Sequence, residues 1–134
     1  MDILKSETQP VHGTEDVVLV RQAVRTWAVE LGFSLVDQTK IVTAASELAR
    51  NTVIYGGGGT VTLESLVNGP RRGLRLTFLD EGPGIKDLEQ AMKDGFTTGN
   101  GLGLGLSGAK RLSNEFEIVS TLGQGTRVAI TRWK

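Results

Sequence analysis

The sequence predicts an α+β fold, a two-layer α/β sandwich in which helices cover one face of a largely antiparallel mixed sheet. Long helical patterns come early in the chain, and the later strand patterns are joined by short turns that contain glycine. Apolar residues alternate in the strand patterns, as in Leu74, Leu76 and Phe78, which gives each strand one buried face. Because no long linker divides the 134 residues, a single domain spanning residues 1–134 is expected.

Two amphipathic helices are predicted from apolar residues spaced by three and four positions. The first begins at Thr14, a suitable N-cap, and ends at Gly32. The second begins near Ser34, which with Asp37 three residues later is close to the capping-box pattern, and continues to about Tyr55. Its expected core face consists of Ile41, Ala45, Leu48, Thr52 and Tyr55.

The rest of the chain shows strand patterns and two weaker helical patterns. Residues 3–8 are expected to form a short edge strand, and the apolar runs on either side of "NGPRRG" a hairpin. Helices are expected at residues 85–93 and 104–112, followed by strands at 116–120 and 127–133 that the turn "GQG" joins.

Composition excludes several classes of function. Fifteen basic and fifteen acidic residues give a net charge of +0 without a basic cluster, so nucleic acid is not an expected partner. The absence of cysteine excludes disulfides and thiolate metal sites. The longest aliphatic run, "VVLV", is far too short for a signal or membrane segment, so we expect a cytoplasmic protein without a membrane partner.

Three polar residues share one face of the second predicted helix, because Thr43, Glu47 and Asn51 are spaced by four. A solvated surface is the ordinary explanation of such a face. A metal–triphosphate site is the alternative, since an asparagine oxygen can ligate Mg²⁺ and a glutamate can accept the proton of an attacking hydroxyl.

The stretch "DEGPG", residues 80–84, directly follows a predicted strand. An ordinary turn is one explanation. The alternative is a contact with a nucleotide base: the Asp80 carboxylate can accept a hydrogen bond from an exocyclic amine, and Gly82 and Gly84 let the backbone approach the base.

Glycines occupy alternate positions in "GNGLGLGL", residues 99–106. Backbone N–H groups in such a loop, and those of the helix that follows, can form a nest for phosphate oxygens. A flexible linker fits less well, because leucines stand between the glycines. Two other phosphate motifs fail: the GxGxxG of residues 103–108 follows no clear strand, and Ala109 stands where a P-loop needs lysine.

Taken together, these stretches resemble the ATP-binding domain shared by gyrase-type ATPases, Hsp90, sensor histidine kinases and bacterial anti-sigma serine kinases, the GHKL superfamily. "ELARN" is similar to its N box, "DEGPG" and "GNGLGLGL" to its two glycine boxes, and "GQGT" to its closing turn near adenine. The resemblance covers residues 14–134 and implies the Bergerat ATP-binding fold, with ATP and Mg²⁺ as cofactors. "DQTKIVTAASELARN" and "RLSNEFEIVS" are most similar to the RsbT-like serine/threonine kinases of bacterial stress-response partner switching.

The resemblance implies a role for each matching residue. Glu47 is implied as the catalytic base, Asn51 as the Mg²⁺ ligand and Asp80 as the partner of adenine. The other nucleotide-binding residues that it implies are Gly82, Gly84, Ile85, Gly101, Leu102, Gly103, Leu104, Gly105 and Thr126.

The same resemblance implies a protein-serine/threonine kinase that phosphorylates a STAS-domain antagonist, an RsbS-like protein or an RsbR-like scaffold, and on release activates an RsbU-like phosphatase. A histidine kinase fits less well because the only histidine, His12, precedes the first helix, and a gyrase-type ATPase needs a further domain. Two alternatives are open: an anti-sigma factor that sequesters a sigma subunit and has a regulatory kinase activity, and an ATP-gated interaction module without phosphotransfer.

Overall fold

The computed structural model describes residues 1–93 and 105–134, which form two layers. Two long helices pack against each other and against one face of a five-stranded sheet, which confirms the predicted sandwich. The strands are β1 (Asp2–Val11), β2 (Gly59–Asn68), β3 (Arg71–Asp80), β4 (Glu115–Thr121) and β5 (Gly125–Trp133), and the helices are α1 (Thr14–Glu30), α2 (Leu35–Ile54), α3 (Leu88–Ala91) and α4 (Gly105–Arg111).

The sheet has the strand order β1-β2-β3-β5-β4, and its four pairings are all antiparallel. No parallel pairing occurs among the described residues, so the mixed character that we expected is absent there. The predicted hairpin joins β2 to β3, where Gly69 adopts a φ of 62° that favours glycine. The chain returns to insert β5 between β3 and β4.

The hydrophobic core lies between the helices and one face of the sheet. Val24 and Trp27 of α1 and Leu48 of α2 pack there against alternate residues of the strands, such as Leu76 and Phe78 of β3. Burying side chains of this size contributes about 1.5–3 kcal/mol each. None of the helices in the described ranges combines the length and the hydropathy that a bilayer-spanning segment needs.

Local hydrogen bonds determine where the long helices begin and end. Ser34 caps α2 as predicted, because its side chain accepts a hydrogen bond from the backbone N–H of Asp37 over 3.1 Å. The N-cap of α1 is Gly13 and not Thr14, and the Asp16 carboxylate accepts the backbone N–H of His12 over 2.9 Å. After α1, Gly32 has a φ of 83° and reverses the chain.

Two predicted details are wrong for identifiable reasons. Tyr55 was expected in the core, but 42% of its surface is exposed because α2 ends at Ile54 and Tyr55 follows as its C-cap. The helix expected at residues 85–93 is shorter and consists only of α3. The Asp87 side chain caps its beginning by accepting the backbone N–H of Gln90. The backbone N–H of Ile85 is hydrogen-bonded to Ser120 of the sheet, so this residue is not part of the helix.

The Arg132 guanidinium connects three elements. It donates to the Asp37 carboxylate of α2 over 2.7 Å and to the backbone carbonyl of Leu112, which follows α4, over 2.9 Å. The hydrogen bond from Arg132 is the main reason that the pKa of Asp37 is lowered from its ordinary value. This contact therefore joins β5 to the beginning of α2 and the end of α4.

Candidate functional site

A cavity of about 430 Å³ lies beside the C-terminal half of α2. Its walls come from that helix, from the end of β3, from the start of β5, from the segment after β3 and from the start of α4. The lining residues are Glu47, Leu48, Arg50, Asn51, Thr52, Ile54, Tyr55, Gly56, Phe78, Asp80, Pro83, Gly84, Ile85, Lys86, Asp87, Gln90, Ala91, Gly105, Leu106, Thr126 and Val128.

Helix α2 presents Glu47 and Asn51 to this cavity. The two residues are one turn apart, so their side chains lie on the same face. Glu47 is only 6% exposed, which distinguishes it from the solvated helix surface that was the ordinary explanation. Its carboxylate lies 3.6 Å from the guanidinium of Arg50, so the buried charge has a cation beside it. Thr43, a turn earlier, does not line the cavity.

The sheet carries a row of three polar residues, of which Asp80 and Thr126 line the cavity. Asp80 of β3 lies opposite Thr126 of β5, and Thr126 lies opposite Ser120 of β4. Each residue of this row lies two positions along its strand from a residue of the apolar core row that contains Phe78 and Val128. Because side chains two residues apart lie on the same face of a sheet, the polar row extends the core face into the cavity.

Glycine backbones surround the Asp80 side chain. The Asp80 Oδ1 atom accepts a hydrogen bond from the backbone N–H of Gly82 over 2.9 Å. A Cβ atom at Gly56 would overlap the Asp80 carboxyl group, and one at Gly82 would lie 2.7 Å from the Cα atom of Gly56. Only residues without a side chain allow these three segments to approach so closely.

The segment after β3 is bound to the β4–β5 hairpin. The backbone N–H of Gly123 donates to the carbonyl of Pro83 over 2.8 Å, and the backbone N–H of Ile85 donates to the Ser120 hydroxyl over 2.7 Å. Between these bonds, Gly84 has a φ of 79°, and a Cβ atom there would lie 2.5 Å from the carbonyl oxygen of Thr121. These contacts fix the wall of the cavity opposite α2.

The structure brings most of the predicted site residues together. Seven of them line the cavity: Glu47, Asn51, Asp80, Gly84, Ile85, Gly105 and Thr126. Gly82 does not line the cavity, but its backbone N–H donates a hydrogen bond to the Asp80 carboxylate. The predictions for Gly101, Leu102, Gly103 and Leu104 lie outside the described residues, and the role assigned to each residue stays a prediction.

Several lining residues were missed by the sequence reasoning. Arg50, Ile54 and Tyr55 follow Glu47 at spacings of three, seven and eight, and such spacings belong to one helix face. Applying this periodicity to the polar face would have identified them. Lys86 also lines the cavity, but nothing in the spacing of the sequence distinguishes it.

The donor set fits a magnesium ion that takes most of its ligands from elsewhere. Within residues 1–93 and 105–134, no three His, Cys, Asp or Glu side chains form a group that could hold a metal ion. Mg²⁺ does not need such a group, since it keeps several waters and binds one or two protein ligands together with substrate phosphates. The Asn51 amide oxygen, on the cavity face of α2, can supply one such ligand.

Comparison with protein families gives a match over residues 36–134, from α2 to the last residue, to the family described as histidine kinase-, DNA gyrase B- and HSP90-like ATPase. The chain belongs to this ATPase family. The resemblance noted in the sequence is thereby confirmed, together with the fold that it implied.

This ATPase domain is similar in sequence to a protein kinase and to an anti-sigma factor. It is 47% identical over 118 residues to the serine/threonine-protein kinase RsbT of Bacillus subtilis, covering 88% of this chain and 89% of the relative. It is 32% identical over 119 residues to an anti-sigma F factor of Thermoanaerobacter, covering 84% of this chain and 82% of that protein.

Among solved structures, the ATPase domain is similar to part of a chain from Mycobacterium tuberculosis that comprises RsbU and RsbW domains. The TM-score is 0.67 at 21% identity, and the match covers 97% of this chain and 33% of that one. A mycobacterial sensor histidine kinase, MprB, gives a TM-score of 0.56 at 20% identity, covering 96% of this chain and 97% of that one. Both similarities concern the fold.

Proposed function

We propose that the protein is a Mg-ATP-dependent serine/threonine protein kinase of a bacterial partner-switching module. The observation that carries this proposal is that Glu47 and Asn51 face the same cavity as the paired residues Asp80 and Thr126. One cavity therefore offers a proton acceptor and a metal ligand at one wall and a polar site for a base at another. The 47% identity to a serine/threonine-protein kinase supports the choice of reaction.

The sheet side of the cavity would hold adenine. The Asp80 carboxylate can accept a hydrogen bond from the exocyclic amine, and the hydroxyl of Thr126 lies opposite it on the neighbouring strand. Phe78 and Val128, one row further into the core, supply an apolar surface for the ring. Gly56 and Gly82 keep side chains away from the carboxylate.

The helix side would hold the triphosphate. Asn51 would ligate Mg²⁺, which neutralises charge on the phosphates when it is bound. Two cationic side chains, Arg50 and Lys86, also line the cavity and can balance further negative charge.

Phosphoryl transfer to a protein hydroxyl needs a proton acceptor, and Glu47 is the proposed one. The serine or threonine oxygen of the substrate forms a bond to the γ-phosphorus, the bond from that phosphorus to the bridging oxygen breaks, and ADP leaves. The hydroxyl proton passes to the Glu47 carboxylate. Positioning and charge neutralisation provide most of the rate acceleration in reactions of this class.

The proposed substrate is a STAS-domain protein, of the RsbS-like or RsbR-like kind, and the proposed later partner is an RsbU-like phosphatase. Phosphorylation of the STAS protein would release the kinase to activate the phosphatase in the cytoplasm. Two findings support this choice: the relative named RsbT, and a structural neighbour that combines RsbU and RsbW domains in one chain.

The decisive experiment incubates the protein with γ-labelled ATP, Mg²⁺ and a candidate STAS-domain protein. We expect label on a serine or threonine of the STAS protein, and loss of that label in the Glu47→Gln variant. Binding of ATP without any transfer to a panel of STAS proteins would contradict the kinase proposal and favour an ATP-gated interaction module.

A second candidate function is that of an anti-sigma factor with regulatory kinase activity. The 32% identity to an anti-sigma F factor favours it. A pull-down of sigma subunits with the tagged protein, in the presence of ATP, distinguishes the two. Stoichiometric capture of a sigma subunit would favour the anti-sigma factor, and its absence together with STAS phosphorylation would favour the first proposal.

A further inference from the structure

Arg50 of α2 is a cation of the cavity that lies beside the proposed proton acceptor. Its guanidinium is 3.6 Å from the Glu47 carboxylate, and both side chains line the cavity. Two other arginines, Arg75 and Arg132, donate hydrogen bonds to carboxylates over 2.8 and 2.7 Å. Because 3.6 Å is longer than a hydrogen bond, Glu47 attracts the charge of Arg50 without using its N–H donors. Those donors can bind an anion that enters the cavity.

The position of Glu47 relates Arg50 to the terminal phosphate of a bound ATP. A general base must come within hydrogen-bond reach of the proton that it accepts. The substrate oxygen that carries this proton approaches the γ-phosphorus in line with the bond that breaks. In the proposed reaction the Glu47 carboxylate therefore lies near the γ-phosphate. Arg50 is its neighbour on the same helix face, so the guanidinium lies near this phosphate as well.

This arrangement brings two negative charges close together. The Glu47 carboxylate and the γ-phosphate repel each other, and with Glu47 only 6% exposed, little solvent screens the repulsion. A guanidinium beside both groups attracts the carboxylate by its charge and can donate paired hydrogen bonds to phosphate oxygens. Lys86, the other cation among the described lining residues, belongs to the segment after β3 and not to the helix that carries Glu47.

We propose that Arg50 binds the γ-phosphate of ATP and offsets the repulsion between that phosphate and the Glu47 carboxylate. The proposal rests on the proposed nucleotide site and goes beyond it, because it assigns Arg50 to one phosphate. ADP has no γ-phosphate, so Arg50 contributes to the affinity for the substrate and not to the affinity for the product. A buried carboxylate can therefore stand beside the triphosphate without weakening the binding of ATP.

The test compares the affinities for ATP and ADP, each with Mg²⁺, by titration calorimetry. Arg50→Met keeps the unbranched apolar stem and removes the charge. ATP affinity should fall about tenfold or more, the scale of a lost charge-assisted hydrogen bond, while ADP affinity changes less than about twofold. Binding of ADP also shows that the variant keeps its folded site. The matched control is Arg127→Met, since Arg127 is also 3.6 Å from a glutamate but does not line the cavity, and both affinities should stay unchanged.

A double variant tests the repulsion itself. With Arg50 present, Glu47→Gln should leave ATP affinity nearly unchanged, because the guanidinium already offsets the carboxylate. In the Arg50→Met background the same substitution removes an uncompensated charge, so ATP affinity should rise about threefold or more above that of Arg50→Met alone. Transfer of phosphate to the STAS protein should not recover, because the glutamine amide cannot accept the hydroxyl proton.

The possible outcomes separate this inference from the proposed function. An equal loss of ATP and ADP affinity in Arg50→Met would show a general effect of charge or structure and would overturn the inference. Unchanged ATP affinity in Arg50→Met, or no gain from Glu47→Gln in that background, would overturn it as well. Each of these results leaves the proposed function intact if the unmodified protein binds ATP and transfers phosphate. If the unmodified protein binds no ATP, the proposed function fails and the inference fails with it.

Discussion

The guanidinium of Arg50 lies 3.6 Å from the carboxylate of Glu47, three residues earlier on the same helix, and both side chains line the cavity. The Glu47 side chain is 8% exposed and that of Arg50 is 29% exposed, so the carboxylate is on the more deeply buried of the two side chains. A guanidinium keeps its protons at any physiological pH. Of this pair, only Glu47 can accept the proton of a substrate hydroxyl.

The Glu47→Gln variant tests this role with the smallest change of shape. Transfer of phosphate to the STAS protein should fall by roughly 100-fold or more, because the amide cannot accept the proton. ATP affinity, measured by calorimetry, should remain close to that of the unmodified protein. The matched control is Glu117→Gln on β4, where Glu117 is also 3.6 Å from an arginine, Arg127, but is well exposed. Transfer that survives in Glu47→Gln would refute the assignment.

Replacing the proposed metal ligand should abolish the increase in ATP affinity that Mg²⁺ provides. In the unmodified protein we expect ATP to bind more tightly with Mg²⁺ than with EDTA. In Asn51→Ala the two affinities should become nearly equal, because Mg²⁺ then lacks its protein ligand. Calorimetric titrations in both buffers measure the difference. A full magnesium effect in Asn51→Ala would place the metal ligand elsewhere in the chain.

The substitution Gly56→Ala should lower the affinity for ATP more than it lowers the stability of the fold. The new Cβ would overlap the Asp80 carboxyl group, which must then leave its position. We expect ATP affinity to fall by about tenfold or more, on the scale of a lost charge-assisted hydrogen bond. Gly13→Ala is the control for ATP affinity, since nothing lies within 4 Å of a Cβ there. Calorimetry and thermal unfolding of both variants give the comparison, and normal ATP affinity in Gly56→Ala would contradict the prediction.

The contact between Asp37 and Arg132 should make part of the stability depend on pH. The hydrogen bond from Arg132 lowers the pKa of Asp37 below its ordinary value of 3.8, so the folded state favours the ionised carboxylate. This stability is fully present above pH 3.8 and is lost as the pH falls through the lowered pKa of the folded state. Asp37→Asn should therefore reduce the free energy of unfolding by about 1 kcal/mol at pH 7, and by progressively less in acid.

Urea denaturation of both forms between pH 7 and strongly acidic solution measures this difference. The control is again Glu117→Gln, which breaks a well-exposed ion pair and should have almost no effect at any pH. If the reduction of the free energy of unfolding in Asp37→Asn is the same at every pH, the charge of Asp37 does not contribute to stability.

Local features of the sequence were sufficient to predict most of the fold. Ser34 and Gly32 determine helix ends through short-range hydrogen bonding and a positive φ, and both can be recognised from residue type. The position of Tyr55 could not be predicted in the same way. Its spacing fits the core face as well as the cavity face, and only the end of α2 at Ile54 decides between them.

The site was predictable where one element carries several of its residues. Glu47 and Asn51 share a helix face by spacing alone. The arrangement of Asp80, Thr126 and Ser120 depends on the pairing of β3, β5 and β4, and strand order and register are not visible in the sequence. The close approach of Gly56 to Asp80 likewise results from tertiary packing.

Strand β5 is an interior strand of the sheet, between β3 and β4. A chain shortened within β5 would therefore divide the sheet and leave β4 without its hydrogen-bonding partner, whereas loss of an edge strand would remove one pairing at the border. It would also remove Arg132 and, in larger deletions, Thr126. Studies that map partner contacts on this side of the molecule should keep the strand intact and replace exposed single residues such as Arg127.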